Sequence, residues 1–344
     1  MFCIEFNTRC LHMKYWLVCD YREQFENLYK MNSQISSDHP NKKNMQEIFD
    51  AIKSLGYDCE YFGGIPELIN AVEKKAVFNN AAFLNFTDGM EQAYSRVQAP
   101  VLLDILNVPY SGSDVFSSVI MNNKHYCKKI LQDSNIPAPK SVLINQLIPF
   151  NKDQIEDWIF PVFIKPNCEG SSIGINNDSV CFSMDEVEKK ISQNIELFEE
   201  IIIEEYVPGI DITNFLIGNT GDYYINDIVA IKLFDQSPFA VYDSVAKHKK
   251  LREFYFNEEI IPIKTVQKIQ LCSEKIAQIV GARDICRIDY RLDMKTQKFS
   301  FIEINSAPRF SSTSEIGFIA SKKELNFSNM VFYYLQSFNK RILN

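Results

Sequence analysis

Along the first third of the chain, short apolar runs alternate with amphipathic stretches. Tyr15–Cys19 reads as a strand. Between Asn41 and Leu55, the residues Met45, Ile48, Phe49, Ile52 and Leu55 recur at helical spacing, and Gly56 ends the run. Cys59–Phe62 reads as a second strand, and Pro66 opens a helix over Glu67–Lys75. Ala82–Phe86 returns to strand, and Gln92–Leu106 carries Val97, Val101, Leu102 and Ile105 on one helical face. Strands alternating with helices predict a small parallel α/β unit.

The pattern then changes. One long helix is predicted over Ser113–Asn135, closed by Ile136-Pro-Ala-Pro because proline lacks the N–H that would continue it. Ser141–Ile144 and Val162–Lys165 read as strands. Ser183 with Glu186 forms a capping box at the start of another helix. The remainder is strand-rich, with Glu200–Tyr206, Thr213–Ile217, Tyr223–Leu233, Ile285–Leu292 and Phe299–Ile304, and a single helix at Lys264–Val280 interrupts it. Such a run predicts an antiparallel α+β arrangement.

Composition narrows the function classes. At about 150 residues per domain, 344 residues suggest roughly two domains. Apolar residues make up 46% and charged residues 23%, an ordinary globular balance. A net charge of −8 argues against wrapping nucleic acid or lying on an anionic membrane, although it permits a small basic pocket. No stretch approaches the roughly 18 uncharged apolar residues of a membrane helix. Glu5 and Arg9 break the pattern of a signal peptide, so a cytoplasmic location is expected. The first twelve residues, ahead of Met13 and Lys-Tyr-Trp-Leu-Val, read as an extension or a mis-called start. Nine cysteines lie scattered with no Cys-x-x-Cys pair, which suits reduced thiols used as small apolar residues. Four dispersed histidines make histidine-based metal catalysis a poor reading.

Three segments can carry chemistry. In Ile164-Lys165-Pro-Asn-Cys-Glu169-Gly-Ser171-Ser172-Ile-Gly174 a strand ends in lysine before a Gly/Ser turn. Its N–H groups and hydroxyls can cradle phosphate oxygens, with Lys165 adding charge. Taken alone, a polar turn with a solvated lysine is the stronger reading. In Arg287-Ile-Asp289 and Glu303-Ile-Asn305, period-two spacing puts each pair on one strand face. If these strands pair across Met294–Lys298, three oxygen ligands converge beside an arginine. Carboxylates set among apolar neighbours call for a metal or another cation. Glu204-Glu205-Tyr206-Val207-Pro-Gly-Ile-Asp211 can present extended backbone to a base edge and an acid to ribose, but also reads as ordinary strand-turn-strand.

In order and spacing, these segments resemble the ATP-grasp superfamily, in particular the D-alanine–D-alanine ligase group, from roughly Asn85 to Ala320. Further matching pieces are Val108-Pro-Tyr-Ser-Gly-Ser, Asn123-Lys124 with Lys128, Ile136-Pro-Ala-Pro and Tyr242-Asp-Ser-Val-Ala-Lys247. The resemblance implies an α/β and α+β ATP-grasp fold. Residues 1–111 would form an N-terminal parallel α/β domain, 112–208 a small central subdomain, and 209–344 a C-terminal antiparallel subdomain with the metal site. It implies ATP phosphates on Lys124 and Lys165, under a loop of Glu169, Ser171 and Ser172. Adenine would lie along Glu204, Glu205, Tyr206 and Val207, with ribose at Asp211. Two Mg²⁺ ions would sit on Asp289, Glu303 and Asn305, and Arg287 would steady the transferred phosphoryl group. Lys247, on a mobile loop over Tyr242–Arg252, would reach the γ-phosphate. A homodimer is in keeping with the resembled group.

The departures fall in the amino-acid half. The resembled ligases begin with Gly-Gly-x-Ser-x-Glu, whose acid takes the first D-alanine's ammonium. Here the strand exit reads Val18-Cys-Asp20-Tyr-Arg22-Glu23. A His-Gly…Glu-Asp-Gly segment is replaced by Asn85-Phe-Thr-Asp88-Gly89-Met, and Leu-Pro-Gly by Ala307-Pro308-Arg309. Arg309 could hold a substrate carboxylate together with Ser314, or else pair with Glu315. The expected activity is ATP-dependent carboxylate–amine ligation through an acyl phosphate, on small amino-acid-like substrates other than two D-alanines. Ring closure, ligation onto a larger biosynthetic intermediate, and phosphotransfer that stops at phosphorylation stay open as alternatives.

Overall fold

The computed structural model describes residues 13–24, 39–90, 94–235, 237, 239–241, 243, 246, 249 and 251–343. Three sheets organise the chain. The first is parallel, in the order β2 (Asp58–Gly63), β1 (Lys14–Val18), β3 (Ala81–Asn85). The second is antiparallel, in the order β4 (Ser141–Asn145), β7 (Glu200–Glu205), β5 (Val162–Pro166), β6 (Val180–Cys181). The third runs β10 (Arg252–Phe256), β9 (Asp222–Leu233), β8 (Ile210–Asn219), β11 (Ile285–Leu292), β12 (Phe299–Asn305), also antiparallel throughout. The parallel unit and the antiparallel remainder match the reading of the sequence.

The helix predicted over Ser113–Asn135 is two helices, Val115–Asn122 and Lys124–Gln132. Asn123 breaks them apart. Its backbone is extended and its side chain accepts from the Tyr126 N–H, the capping alternative that lets asparagine compete with helix continuation. The restart places Lys124 at the first position of the second helix. Two helices near the C-terminus, Glu315–Lys322 and Phe327–Leu343, were not expected, although Met330, Tyr334, Leu335 and Phe338 recur at helical spacing and are buried. Strands β6 and β10 were also unforeseen, being two residues long in one case and aromatic but charged in the other.

Packing follows the sheets unevenly. The helices Lys42–Ser54 and Phe327–Leu343 share one apolar cluster with Tyr15 and Leu17 of β1 and with Phe215 and Val229 of the five-stranded sheet. The opposite face of that sheet packs Ile288, Tyr290 and Phe301 on Ile269 and Ile276 of the helix Ile263–Val280. The four-stranded sheet has its own cluster, including Ile164, Ile201, Ile203, Val187 and Trp158. Near the C-terminus, Arg341 donates to Asp284, which is fully buried, and to the Tyr110 carbonyl. Asp284 also accepts from the Gly112 N–H, so the last helix is tied to the turn that follows the first sheet. All seven described cysteines are free thiols, and among the described residues no helix is long and apolar enough to cross a membrane.

Candidate functional site

The strand β11 alternates cleanly. Cys286, Ile288, Tyr290 and Leu292 are buried in the core, while Arg287, Asp289 and Arg291 take the other face. Its neighbour β12 brings Glu303 opposite Asp289 and Asn305 opposite Arg287. The register slips after Asp289, where Tyr290 pairs with Phe301 and leaves Ile302 as an extra residue. That bulge turns Ile302 as well as Glu303 toward the same cavity.

The hairpin thus gathers the expected oxygen donors beside one arginine. Arg287 holds Asp289 with both Nε (2.9 Å to Oδ1) and Nη2 (2.7 Å to Oδ2). Thr213 Oγ1 donates to Asp289 Oδ1 at 2.8 Å, and Asn305 Nδ2 donates to Oδ2 at 3.2 Å. Lys124 Nζ lies 3.3 Å from Glu303. Burial pushes the Asp289 carboxyl up, with Glu303 adding to the effect and Arg287 opposing it. Two facing carboxylates and an amide, only partly compensated by nearby cations, fit a hard divalent ion such as Mg²⁺. Among the described residues no three His, Cys, Asp or Glu side chains cluster, so such a site needs the Asn305 oxygen.

A cavity of about 170 Å³ lies between the four- and five-stranded sheets. It is lined by Lys165, Ser172, Glu204, Glu205, Tyr206, Val207 and Asp211 of the expected nucleotide residues, and by Arg287, Asp289 and Glu303. Phe163, Ile302 and Arg291 line it too, and sequence reading missed all three. Arg291 is the next same-face residue after Asp289. It donates to Asp211 at 3.1 Å and to the Val207 carbonyl at 3.2 Å, fixing the turn that carries both. Ala240 and Val241 close one side, and Phe239 packs on Tyr206 with ring centroids 5.4 Å apart. Tyr242 and Lys247, from the expected mobile loop, lie outside the described residues.

Glu204 is placed differently from a simple base-edge contact. It is buried between two lysines, 2.9 Å from Lys165 Nζ and hydrogen-bonded to Lys128. Burial lowers the Lys128 pKa to about 8, against the pull of Glu204. The two ammonium groups hold the Glu204 carboxyl below its usual range despite burial. A carboxylate with a depressed native pKa stabilises the fold above its unfolded value of 4.5, and that stability is lost as pH falls through the native value. The melting temperature should therefore drop below about pH 4.5. Lys128→Met, which removes one cation and brings the native Glu204 pKa back toward its unfolded value, should lower the melting temperature at neutral pH and shrink the acid-induced drop. An unchanged acid limb in thermal melts would contradict the clamp.

Lys124 donates to the Glu169 carbonyl at 2.5 Å and to the Asn167 carbonyl at 3.4 Å, so the helix Lys124–Gln132 is stitched to the Gly/Ser loop. Ser171 and Ser172 both have positive φ, which is uncommon for residues with a Cβ. Gly174 follows at φ +72°, where a Cβ would sit 2.7 Å from Pro166.

A second cavity, of about 600 Å³, opens on the far side of Arg287. Arg22, Arg96, Arg252 and Arg309 line it, with Asp88, Ser171, Asn305, Ser314 and Glu315. Asp20 is not free to receive an ammonium. It accepts from the Ile65 N–H at 3.1 Å and from the Thr87 hydroxyl, and it presses on Gly64, where a Cβ would lie 1.8 Å from its Oδ1. Asp88 pairs with Arg96 at 2.8 Å. Ser314 Oγ donates within its own turn, to the Ser311 carbonyl at 2.8 Å. Arg309 and Glu315 do not pair with each other, which leaves the guanidinium exposed at the cavity wall.

A family profile described as D-ala D-ala ligase C-terminus matches residues 130–336. A D-alanine–D-alanine ligase of Wolbachia pipientis wMel is 31% identical over 238 residues, 67% of this chain and 69% of that protein. One from Carboxydothermus hydrogenoformans is 27% identical over 236 residues, 67% of this chain and 73% of that protein. Among solved structures, the D-alanine–D-alanine ligase of Bacillus anthracis complexed with ATP superposes with a TM-score of 0.71 at 17% identity, covering 95% of this chain and 98% of that one. VanG D-Ala:D-Ser ligase of Enterococcus faecalis does so with 0.72 at 18% identity, covering 95% and 99%. These likenesses give no support to the expectation that two D-alanines are excluded as substrates.

Proposed function

The chain belongs to the D-alanine–D-alanine ligase family and is an ATP-dependent carbon–nitrogen ligase of ATP-grasp fold, and on that premise we propose that it joins two small amino-acid-like substrates through an acyl phosphate. Taking residues 1–111, 112–208 and 209–344 as its units gives each unit one sheet. ATP occupies the smaller cavity, its base along Glu204–Val207 between Phe163 and Ile302, its ribose near the Asp211–Arg291 pair. Lys124 and Lys165 offset the phosphate charge. Asp289, Glu303 and Asn305 would hold one or two Mg²⁺ ions, which when bound neutralise phosphate oxygens.

A donor carboxylate oxygen attacks the γ-phosphorus, and ADP leaves. Arg287 steadies the phosphoryl oxygens. The acceptor nitrogen then attacks the acyl carbon, phosphate leaves, and an amide remains. Positioning and charge complementarity suffice, with no protein nucleophile. The observation that carries this reading is the placement of Arg287 in the walls of both cavities, where nucleotide and amino-acid substrates would meet.

A substrate pair other than two D-alanines is a second reading, favoured by the engagement of Asp20 and by Arg309 at the cavity wall. ADP release with D- and L-amino acids, singly and in pairs and including D-alanine with itself, decides between them when products are weighed by mass spectrometry. Absence of release with every pair would overturn the ligase reading. Arg309→Ala should raise the KM for the amine-bearing substrate at least about tenfold, the loss of one charge-assisted contact of about 1.5–3 kcal/mol, and leave the KM for ATP near the parent value. A variant that only loses thermal stability would make this arginine structural.

A further inference from the structure

Two residues line both cavities, Arg287 and Glu315. Arg287 is accounted for by the phosphoryl group and by Asp289. Glu315 is half-buried, begins the helix Glu315–Lys322, and follows Ser314 directly. It makes no ion pair or hydrogen bond among the described residues. The other acids near the larger cavity are engaged, Asp20 by Ile65 and Thr87, Asp88 by Arg96. Glu315 is also not a third carboxylate of the Asp289–Glu303 pair, because no three acidic, histidine or cysteine side chains cluster among the described residues. An uncommitted carboxylate therefore stands at the junction of the nucleotide site and the amino-acid cavity, beside an arginine whose charge it feels.

The acyl phosphate must form at that junction, and the acceptor amine must reach it there. An α-amino acid arrives with its amine protonated, as a cation. A half-buried carboxylate at the meeting point attracts that cation more strongly than it would in water, because the local dielectric is lower. We propose that Glu315 binds the ammonium group of the acceptor amino acid and takes one proton from it as the freed nitrogen lone pair attacks the acyl carbon, while the second proton leaves with the departing phosphate. Arg309, six residues earlier on the same wall, takes the acceptor's own carboxylate. The enzyme then reads its acceptor by two opposite charges presented from one turn, 309–315. This rests on the ligase reading above and names the residue that selects a charged amine.

The test separates the amine from the acyl step. Hydroxylamine is mostly uncharged at neutral pH and attacks an acyl phosphate directly, releasing phosphate and leaving a hydroxamate. In Glu315→Gln, hydroxamate formation from ATP and the donor amino acid found by the ADP screen should stay within twofold of the parent. Amide formation with the amino-acid acceptor should show a KM raised at least tenfold, and Glu315→Asp should recover part of that loss. Equal acceptor KM values in the parent and Glu315→Gln would overturn the proposal. So would a lowered melting temperature with intact acceptor KM, which would reduce Glu315 to a favourable charge at a helix N-terminus. Failure of the parent to form any hydroxamate or amide would instead overturn the ligase reading, and this assignment with it.

Discussion

Glu303→Gln should lower turnover by about three orders of magnitude while leaving the melting temperature within a few degrees of the parent. Glu303 faces Asp289 across the β11–β12 pair and already carries the Lys124 ammonium at 3.3 Å. An amide of the same shape keeps the strand packing, since the side chain is only partly buried and the apolar face of β12 rests on Phe301 and Ile304. What it removes is one full negative charge from a site with two carboxylates. Cation-mediated stabilisation of phosphoryl transfer is worth several kcal/mol, and each 1.36 kcal/mol is a factor of ten. The measurement is kcat together with a Mg²⁺ titration of nucleotide affinity by calorimetry. Near-parent activity and an unchanged Mg²⁺ dependence would remove Glu303 from the metal site.

Lys165→Ala carries the second large effect, and for two reasons. A buried ammonium in contact with triphosphate makes charge-assisted hydrogen bonds, roughly twice as strong as neutral ones, so at least about 2 kcal/mol of nucleotide binding or transition-state stabilisation should go. The same change unbalances a buried cluster. Glu204 would keep only Lys128, and breaking a buried pair by removing one partner costs about 3–5 kcal/mol. Lys165→Ala should therefore lose both affinity and stability. Lys124→Ala, whose lysine reaches a carbonyl and the Glu303 rim, should lose chiefly affinity. Nucleotide binding followed alongside thermal melts distinguishes the two variants. If both bind ATP as the parent does, the lysines are strand-end and helix-end charges without a nucleotide role.

Much of this site was legible because its residues obey simple periods. Arg287, Asp289, Glu303 and Asn305 sit two apart within buried strands, and period two alone puts each pair on a common face. Arg291 obeys the same period and could have been read with them. Ile302 could not, because only the register slip after Asp289 brings it to the cavity, and a bulge leaves no mark in an apolar run such as Phe-Ile-Glu-Ile. Glu204 was read as a base-edge contact because a strand pattern reports facing and not partners. Its lysines come from a helix 76 residues away in sequence and from the neighbouring strand. The break at Asn123 was visible in principle, since asparagine is a poor interior helix residue and a good cap. Asp20 lies at a strand exit. Its commitment to the helix at Ile65 depends on Gly64 lying against it, a contact 44 residues away in sequence that pattern alone does not reveal.

The uneven sharing of apolar clusters has a mechanical meaning. The parallel sheet and the five-stranded sheet are welded by one continuous body of side chains and by the Arg341–Asp284 tie, whereas the four-stranded sheet keeps a core to itself. There are three sheets, but counted by which of them share a core there are two bodies: a heavy base and a light jaw. The smaller cavity is the gap between jaw and base, with Lys165 and Glu204 on the jaw and Arg287, Asp289 and Glu303 on the base. Swinging the jaw changes the distance between those charges without disturbing either interior. Any change in that gap spares both hydrophobic interiors but has to break polar contacts, among them the buried pair between Glu204 on the jaw and Lys128, whose helix packs Cys127 and Leu131 into the base.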